Sequence, residues 1–99
     1  MKYKPTHNFI HGADKPSDST RTLEVISPVD GNLLSVVTLS TSKDLTDAVL
    51  SAKAAFPAWS KTPIKERVQV FFRYKTLLEK HLKELAELCS EENGKTYSE

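Results

Sequence analysis

The chain of 99 residues has one cysteine, no block of like charge and no long apolar run. A single cysteine excludes an internal disulfide framework, and the lack of a signal-type apolar run after Met1 favours a reducing, cytoplasmic setting. Lys and Arg together number 14 and Asp and Glu 13, so no basic footprint for nucleic acid is present. No window approaches the roughly 18 consecutive apolar residues of a membrane-spanning helix. We therefore expect a soluble cytoplasmic chain with neither nucleic acid nor a membrane as partner.

The sequence also lacks the short motifs that hold nucleotides and metals. Its three glycines, Gly12, Gly31 and Gly94, lie too far apart to form a phosphate-binding loop, and no G-x-G-x-x-G occurs. The three histidines share no metal-ligand spacing with one another or with the cysteine, which disfavours a zinc site. The residues alone therefore indicate no catalytic or cofactor-binding constellation.

Cys89 is the one thiol that could serve as a nucleophile. A reactive thiol needs an electropositive and partly exposed position. Cys89 instead continues the helical spacing of Leu82 and Leu85 and is followed by Glu91 and Glu92. We therefore predict a buried structural cysteine.

Residues 62–95 carry the strongest pattern in the chain, an apolar stripe with the three- and four-residue spacing of a helix. Thr62 and Pro63 predict the helix start, and Gly94 with Lys95 predicts its end. Because about thirty residues exceed the usual helix length, we expect a break near Lys80 and His81. The stripe, which must be buried against another layer, consists of Ile64, Val68, Phe71, Phe72, Leu78, Leu82, Leu85 and Cys89.

The first forty residues read as strands. Phe9 and Ile10 form a short apolar island that predicts a strand, and residues 14–20 read as an exposed connection. Residues 22–26 and 33–39 have strand character, and Asp30-Gly31 between them supplies the positive φ of a tight turn. The pattern predicts an antiparallel hairpin.

The first helix has a clear start signal and a clear stop signal. Thr41 and Asp44 stand in the capping-box arrangement, so we expect a helix over residues 42–55. Pro57 disfavours helical geometry at Phe56, which predicts the end there and leaves Trp59 in a connection between two helices. The fold class is therefore α+β, with strands and a hairpin followed by two or three amphipathic helices.

Seven pieces of sequence occur in a characteristic order: Phe9-Ile10-His11-Gly12, Ile26-Ser27-Pro28-Val29-Asp30-Gly31, Asp47-Ala48-Val49, Ala54-Ala55-Phe56 with Trp59, Arg67, Glu84-Leu85-Ala86 and Glu92-Asn93-Gly94-Lys95. This order resembles the amino-terminal segment of the NAD(P)-dependent aldehyde dehydrogenase superfamily. Phe56-Pro57-Ala58-Trp59 and the run from Glu92 to Thr96 look most like the methylmalonate-semialdehyde dehydrogenase branch, with succinate-semialdehyde and other aliphatic dehydrogenases close behind. Ser27 stands where the superfamily more often has asparagine, and Thr96 where proline is common.

The resemblance implies a place for the chain in a larger α/β fold with a Rossmann-like sheet. Residues 1–99 would be the amino-terminal part of the cofactor-binding domain, with strands in 1–40 and helices in 41–95, and the catalytic and oligomerisation domains would be absent. The intact enzyme would use NAD or NADP to oxidise an aldehyde through a cysteine thioester, releasing an acid or an acyl-CoA. It would work as a homodimer or homotetramer.

The resemblance places the catalytic residues downstream of Glu99. Cys89 does not align with the family's nucleophile, nor Glu92 with its general base, nor Asn93 with its oxyanion donor. We expect no cofactor for this chain alone and no catalytic or cofactor-binding residue within it. The family further implies a monovalent-cation site at positions that match the Ile26 carbonyl and the Glu92 carboxylate, for which a solvated carboxylate at Glu92 is the simpler reading.

Two functions remain open at this level. The chain is either an amino-terminal fragment of an aldehyde-oxidising enzyme or a freestanding, non-catalytic helical module that binds a partner through Phe71, Phe72 and Leu78. The fragment is favoured because the sequence stops at Glu99, where a new element would begin. The residues give neither the aldehyde, nor the choice between NAD and NADP, nor the oligomeric state.

Overall fold

The computed structural model describes residues 1–99, in which two antiparallel strand pairs precede three helices. This architecture confirms the α+β class. The helices account for the second half of the chain, and the strand pairs for most of the first. The elements are β1 (Asn8–Ile10), β2 (Ala13–Lys15), β3 (Thr22–Ile26), β4 (Leu33–Thr38), α1 (Ser42–Lys61), α2 (Ile64–Lys80) and α3 (Leu82–Asn93).

The predicted hairpin is confirmed as the antiparallel pair β3 and β4. Thr22 pairs with Thr38 at its open end, and a register shift follows Val25 where the strands approach the turn. Gly31 has φ +75° and donates its N–H to the Ser27 carbonyl at 2.9 Å. The left-handed backbone that glycine tolerates therefore closes the turn, as Asp30-Gly31 predicted.

The apolar island at Phe9 is confirmed as β1, but part of the predicted exposed connection is wrong. Residues 13–15 form β2, which pairs with β1. His11 and Gly12 both have positive φ, +54° and +73°, and this tight turn returns the chain along β1. Ala13–Lys15 has no apolar alternation that could have marked it as a strand in the sequence.

Helix α1 starts where the capping box predicted but ends later. The Thr41 hydroxyl accepts from the Asp44 N–H at 3.3 Å, and the Asp44 carboxylate accepts from the Thr41 N–H at 2.7 Å. The predicted end at Phe56 is wrong because Pro57 lies inside the helix. Proline removes its own N–H bond and crowds the carbonyl four residues earlier, but its ring holds φ at a helical value, and the helix continues through it to Lys61.

The residues around the junction of α1 and α2 also differ from the prediction. The Thr62 hydroxyl donates to the Ala58 carbonyl at 3.0 Å, so Thr62 closes α1 and does not cap α2. Trp59 lies within the last turns of α1, with 42% of its surface exposed, and not in a connection. Helix α2 begins at Ile64, one residue after Pro63.

The break and the stop predicted for the long stripe are both confirmed. Helix α2 ends at Lys80, and His81 separates it from α3. Gly94 is the C-cap residue of α3 and has φ +70°. Its N–H donates to the Ser90 carbonyl at 2.9 Å. A left-handed glycine of this kind ends a helix without steric penalty.

The elements form a thin layer with little interior. The molecule measures 49 × 36 × 16 Å, and Leu34 is the only hydrophobic residue that is buried. Phe71 and Phe72 are 65% and 58% exposed, so the stripe has no second layer over it. A helix face of this composition is stable when another layer covers it. None of the three helices combines the length and the apolar content that crossing a lipid bilayer would require.

Candidate functional site

The hairpin turn forms one wall of a polar cleft. Ser27, at the end of β3, is 5% exposed, and its hydroxyl accepts the Val29 N–H at 3.2 Å. The Asp30 carboxylate accepts the Asn32 N–H at 3.0 Å. This backbone N–H, with help from the Ser27 hydroxyl, lowers the pKa of Asp30 from its ordinary value. The turn therefore presents a carboxylate that is held in place and ionised.

The residues before β1 form a second wall because they lie along β4. Tyr3 donates its N–H to the Leu34 carbonyl at 2.8 Å, and Thr6 donates its own to Val36 at 3.0 Å. The buried Ser35 hydroxyl donates to the Lys4 carbonyl at 2.8 Å. Thr6 and Val37 form a parallel bridge. Residues 2–6 thus lie along β4 and are held there by a few hydrogen bonds, without forming a regular strand.

Glu91 of α3 closes the cleft from the third side. The Lys2 ammonium donates to one of its carboxylate oxygens, and the Tyr3 hydroxyl donates to the other at 2.7 Å. The hydrogen bond from Lys2, followed by that from Tyr3, lowers the pKa of Glu91. The same bond to Glu91 raises the pKa of Tyr3, because phenolate formation would remove the donor. Glu91 is therefore an ionised carboxylate with both oxygens engaged.

The cleft between these walls has a volume of about 670 Å³. It is open to solvent and presents the side chains of Lys2, Asp30, Asn32, Ser90 and Glu91. Two carboxylates, an amide, a hydroxyl and an ammonium can bind polar groups, but they include no nucleophile paired with a base. The cleft can position chain segments and ions; it has no arrangement for covalent chemistry.

The two residues named for a cation site, Ile26 and Glu92, lie on the two elements that meet beside this cleft. Ile26 ends β3, and Glu92 is an exposed residue in the last turn of α3 whose carboxylate forms no hydrogen bond or ion pair. A Cβ on Gly94 would lie 3.5 Å from Cγ of Pro28, so the end of α3 contacts the hairpin turn. No group of three or more His, Cys, Asp or Glu residues could hold a metal ion within the 99 residues.

The structure corrects the prediction for Cys89. The side chain is exposed and lines a cavity of about 560 Å³ with Leu82, Leu85 and the chain segment around Tyr97. Cys89 lies on the predicted apolar stripe, but no layer covers that stripe, so the thiol is exposed. Its sulfur forms no hydrogen bond to a base, which leaves it without the activation that a catalytic thiol needs.

The histidines are dispersed, each beside one neighbour. His7 lies 3.0 Å from Asp14, His11 lies 3.5 Å from Ser51, and His81 lies 3.2 Å from Glu84. Pairs of this kind on the surface stabilise turns and helix ends weakly.

Sequence reasoning missed Lys2, Tyr3 and Glu91, which form the polar cluster on one side of the cleft. Their contacts join residues 88 and 89 positions apart. No local periodicity marks a contact of that range, and the amino-terminal segment reads only as polar and irregular. A second missed contact is the Ser17 hydroxyl, which donates to Asp44 and attaches residues 16–20 to the start of α1.

Comparison with known proteins shows what this arrangement resembles. Residues 15–99 match the aldehyde dehydrogenase family. A malonate-semialdehyde dehydrogenase from Geobacillus thermodenitrificans (strain NG80-2) is 46% identical over 92 residues, which is 93% of this chain and 19% of that protein. The chain thus spans about a fifth of the length of the relatives it matches.

Solved structures give the same result for the fold. A protein from Sinorhizobium meliloti 1021, assigned as a methylmalonate-semialdehyde dehydrogenase and crystallised with NAD, superimposes with a TM-score of 0.92 at 38% identity, over 99% of this chain and 20% of that one. An aldehyde dehydrogenase from Bartonella henselae superimposes with a TM-score of 0.92 at 25% identity, over 96% of this chain and 20% of that one.

Proposed function

The chain belongs to the aldehyde dehydrogenase family, and from that membership we propose that it is the amino-terminal part of an NAD(P)-dependent dehydrogenase of malonate or methylmalonate semialdehyde. The observation that carries the proposal is the 46% identity to a malonate-semialdehyde dehydrogenase over nearly the whole chain. The superposition on a methylmalonate-semialdehyde dehydrogenase supports the same substrate class, a short aldehyde with a carboxylate.

In this proposal residues 1–99 are the first part of the cofactor-binding domain, with strands in 1–40 and helices in 41–95. A layer only 16 Å thick, with the apolar face of α2 and α3 exposed, fits a segment that packs on a larger body. The remainder of the dehydrogenase chain would be its partner, and the intact enzyme would assemble as a homodimer or homotetramer in the cytoplasm.

The proposal gives these residues a structural role in the reaction. NAD or NADP, when bound to the intact enzyme, accepts a hydride from the aldehyde carbon. Within this chain, the Cys89 thiol has no neighbouring base and the cleft at the hairpin has no nucleophile. The chain alone is therefore expected to be inactive, and its own residues would hold the end of α3 in position for the segment that follows Gly94.

We also propose that the Ile26 carbonyl and the Glu92 carboxylate contribute to a monovalent-cation site in the intact enzyme. Both are hard oxygen donors, which suit sodium or potassium, but two ligands are too few for a site. The contact between Gly94 and Pro28 supports the proposal because it joins the two elements. The free carboxylate of Glu92 is available, whereas that of Glu91 is occupied by Lys2 and Tyr3.

The cation proposal is tested in the intact enzyme by replacing sodium and potassium with a bulky organic cation. The melting temperature should fall, and Glu92→Ala should abolish that salt response while Glu87→Ala leaves it in place. Glu87 lies on the same helix, is exposed and has no ion pair. An unchanged salt response in Glu92→Ala would remove Glu92 from the site.

A freestanding helical interaction module is the second candidate, and the relatives described above lend it no support, since they are dehydrogenases. The nucleotides after the codon for Glu99 separate the two. An open frame that continues for about four times the present length and encodes a catalytic cysteine is the expected result. A stop codon directly after Glu99 in the natural gene would leave the freestanding module as the function.

A further inference from the structure

The carboxyl-terminal end of α3 is attached to the strands by very few contacts. One is the approach of Gly94 to Pro28 at the hairpin turn. The other is the cluster formed by Lys2, Tyr3 and Glu91. Helix α3 follows α2 with only His81 between them, and no strand makes an extensive contact with it. The position of α3 relative to the hairpin therefore depends on these few side chains.

The amino-terminal segment is suited to this task because it contacts both the hairpin and α3. Its backbone is hydrogen-bonded to β4 at Tyr3 and Thr6, and the buried Ser35 hydroxyl binds its Lys4 carbonyl. Its Lys2 and Tyr3 side chains project to α3. The Lys2 ammonium also lies 5.4 Å from the centre of the Tyr3 ring, which keeps the two donors together.

We propose that residues 2–6 act as a strap that fastens the end of α3 to the hairpin, with Glu91 as its attachment point on the helix. Tyr3 is the central residue of the strap, since its N–H binds β4 and its hydroxyl binds α3. The strap fixes where the chain leaves α3 at Gly94. Releasing it leaves the approach of Gly94 to Pro28 as the remaining contact between α3 and the hairpin, and it breaks no hydrogen bond within either element.

The chemistry of the contact explains why it can hold an exposed helix end. A phenol hydroxyl and an ammonium each donate to a separate oxygen of one carboxylate, and hydrogen bonds to a charged acceptor are stronger than neutral ones. Lys2 has 57% of its side chain exposed, whereas Tyr3 is half-buried. Solvent therefore weakens the Lys2 contact more than the Tyr3 contact.

The strap is tested by hydrogen exchange in the protein encoded by the complete reading frame. The amides of Tyr3 and Thr6 should be protected in the parent protein, and Tyr3→Phe and Glu91→Gln should each raise their exchange rates by about threefold to tenfold. The last turn of α3 should exchange faster in the same variants. Amides of α1 should not change, because α1 does not contact the strap.

Matched control variants distinguish the release of the strap from a general loss of stability. Tyr74→Phe removes a hydroxyl, and Glu87→Gln removes a carboxylate, from exposed side chains that make no hydrogen bond. These controls should leave the exchange of Tyr3 and Thr6 unchanged. Equal rates in Glu91→Gln and Glu87→Gln would overturn the strap, as would unprotected Tyr3 and Thr6 amides in the parent. The measurement requires no enzyme activity, so its outcome is independent of the proposed dehydrogenase function.

Discussion

Gly94 ends α3 directly against Pro28, where a Cβ on the glycine would lie 3.5 Å from the proline Cγ. That spacing is an ordinary van der Waals contact, whereas the φ of +70° at Gly94 is unfavourable for any residue with a Cβ. Gly94→Ala should therefore lower the free energy of unfolding by about 1 kcal/mol, measured by urea denaturation. Gly94→Asn should lose less, because asparagine tolerates the left-handed region. Equal losses in the two variants would show that the left-handed backbone does not govern this position.

The capping box at the start of α1 gives a second stability prediction. Thr41→Ala removes the hydroxyl that accepts the Asp44 N–H, and should cost about 1 kcal/mol in urea denaturation. Thr46→Ala is the control, since Thr46 is an exposed residue one turn along whose hydroxyl only returns to the Ser42 carbonyl. Its effect should stay within about 0.5 kcal/mol. A Thr41→Ala variant as stable as Thr46→Ala would contradict the capping role.

The local signals in the sequence were reliable because the residues that carry them act within one turn. Thr41 with Asp44, Gly31 and Gly94 each fix a cap or a turn through their own backbone geometry, and all three predictions are confirmed. The predictions from Pro57 and Thr62 are wrong for two different reasons. Proline favours a helix end, but α1 tolerates Pro57 in its interior. Threonine can bind backbone groups at either end of a helix, and Thr62 closes α1 instead of capping α2.

The cleft could not be predicted from the sequence because its contacts join distant segments. Tyr3 and Glu91 stand 88 residues apart, and neither position carries a periodic or motif signal. Burial at Cys89 was predicted wrongly for a related reason. Helical spacing gives the face on which a residue lies, but burial depends on a covering layer, which these 99 residues do not supply.

The reactivity of the Cys89 thiol measures whether a layer covers the apolar face of α3. In the 99-residue chain, a thiol reagent should label Cys89 at nearly the same rate in native buffer and in denaturant, because the side chain is exposed. In the intact protein the native rate should be lower by about tenfold or more if the apolar face of α3 is covered. If Cys89 in the 99-residue chain were labelled much more slowly in native buffer than in denaturant, the exposed position would be contradicted.

Acid should weaken the structure through three carboxyl groups. The pKa values of Glu91, Asp44 and Asp30 are lowered mainly by hydrogen bonds from Lys2, from Ser17 and from the Asn32 N–H, respectively. A depressed folded-state pKa means that the stabilisation is complete above the ordinary values of 4.5 for Glu91 and 3.8 for the aspartates. It is lost as the pH falls through the lower, folded-state pKa values.

The acid prediction is checked by melting temperatures measured from about pH 7 down to about pH 3. Besides Lys2 and Tyr3, the charge of Asp30 faces Glu91 and opposes its ionisation weakly. Glu91→Gln should flatten part of the acid-induced loss, whereas Glu87→Gln should leave the curve unchanged. A parent protein whose melting temperature rises toward acidic pH would contradict the assignment.

The proposed dehydrogenase function is tested by one steady-state assay of two proteins, the 99-residue chain and the protein encoded by the complete reading frame. Malonate semialdehyde is supplied with NAD⁺ or NADP⁺, and reduced nicotinamide is followed by its absorbance. We expect the complete protein to reduce the cofactor and the 99-residue chain not to, because the short chain contains no activated nucleophile. Reduction by the short chain, or a complete protein inactive toward malonate and methylmalonate semialdehydes with both cofactors, would contradict the proposal.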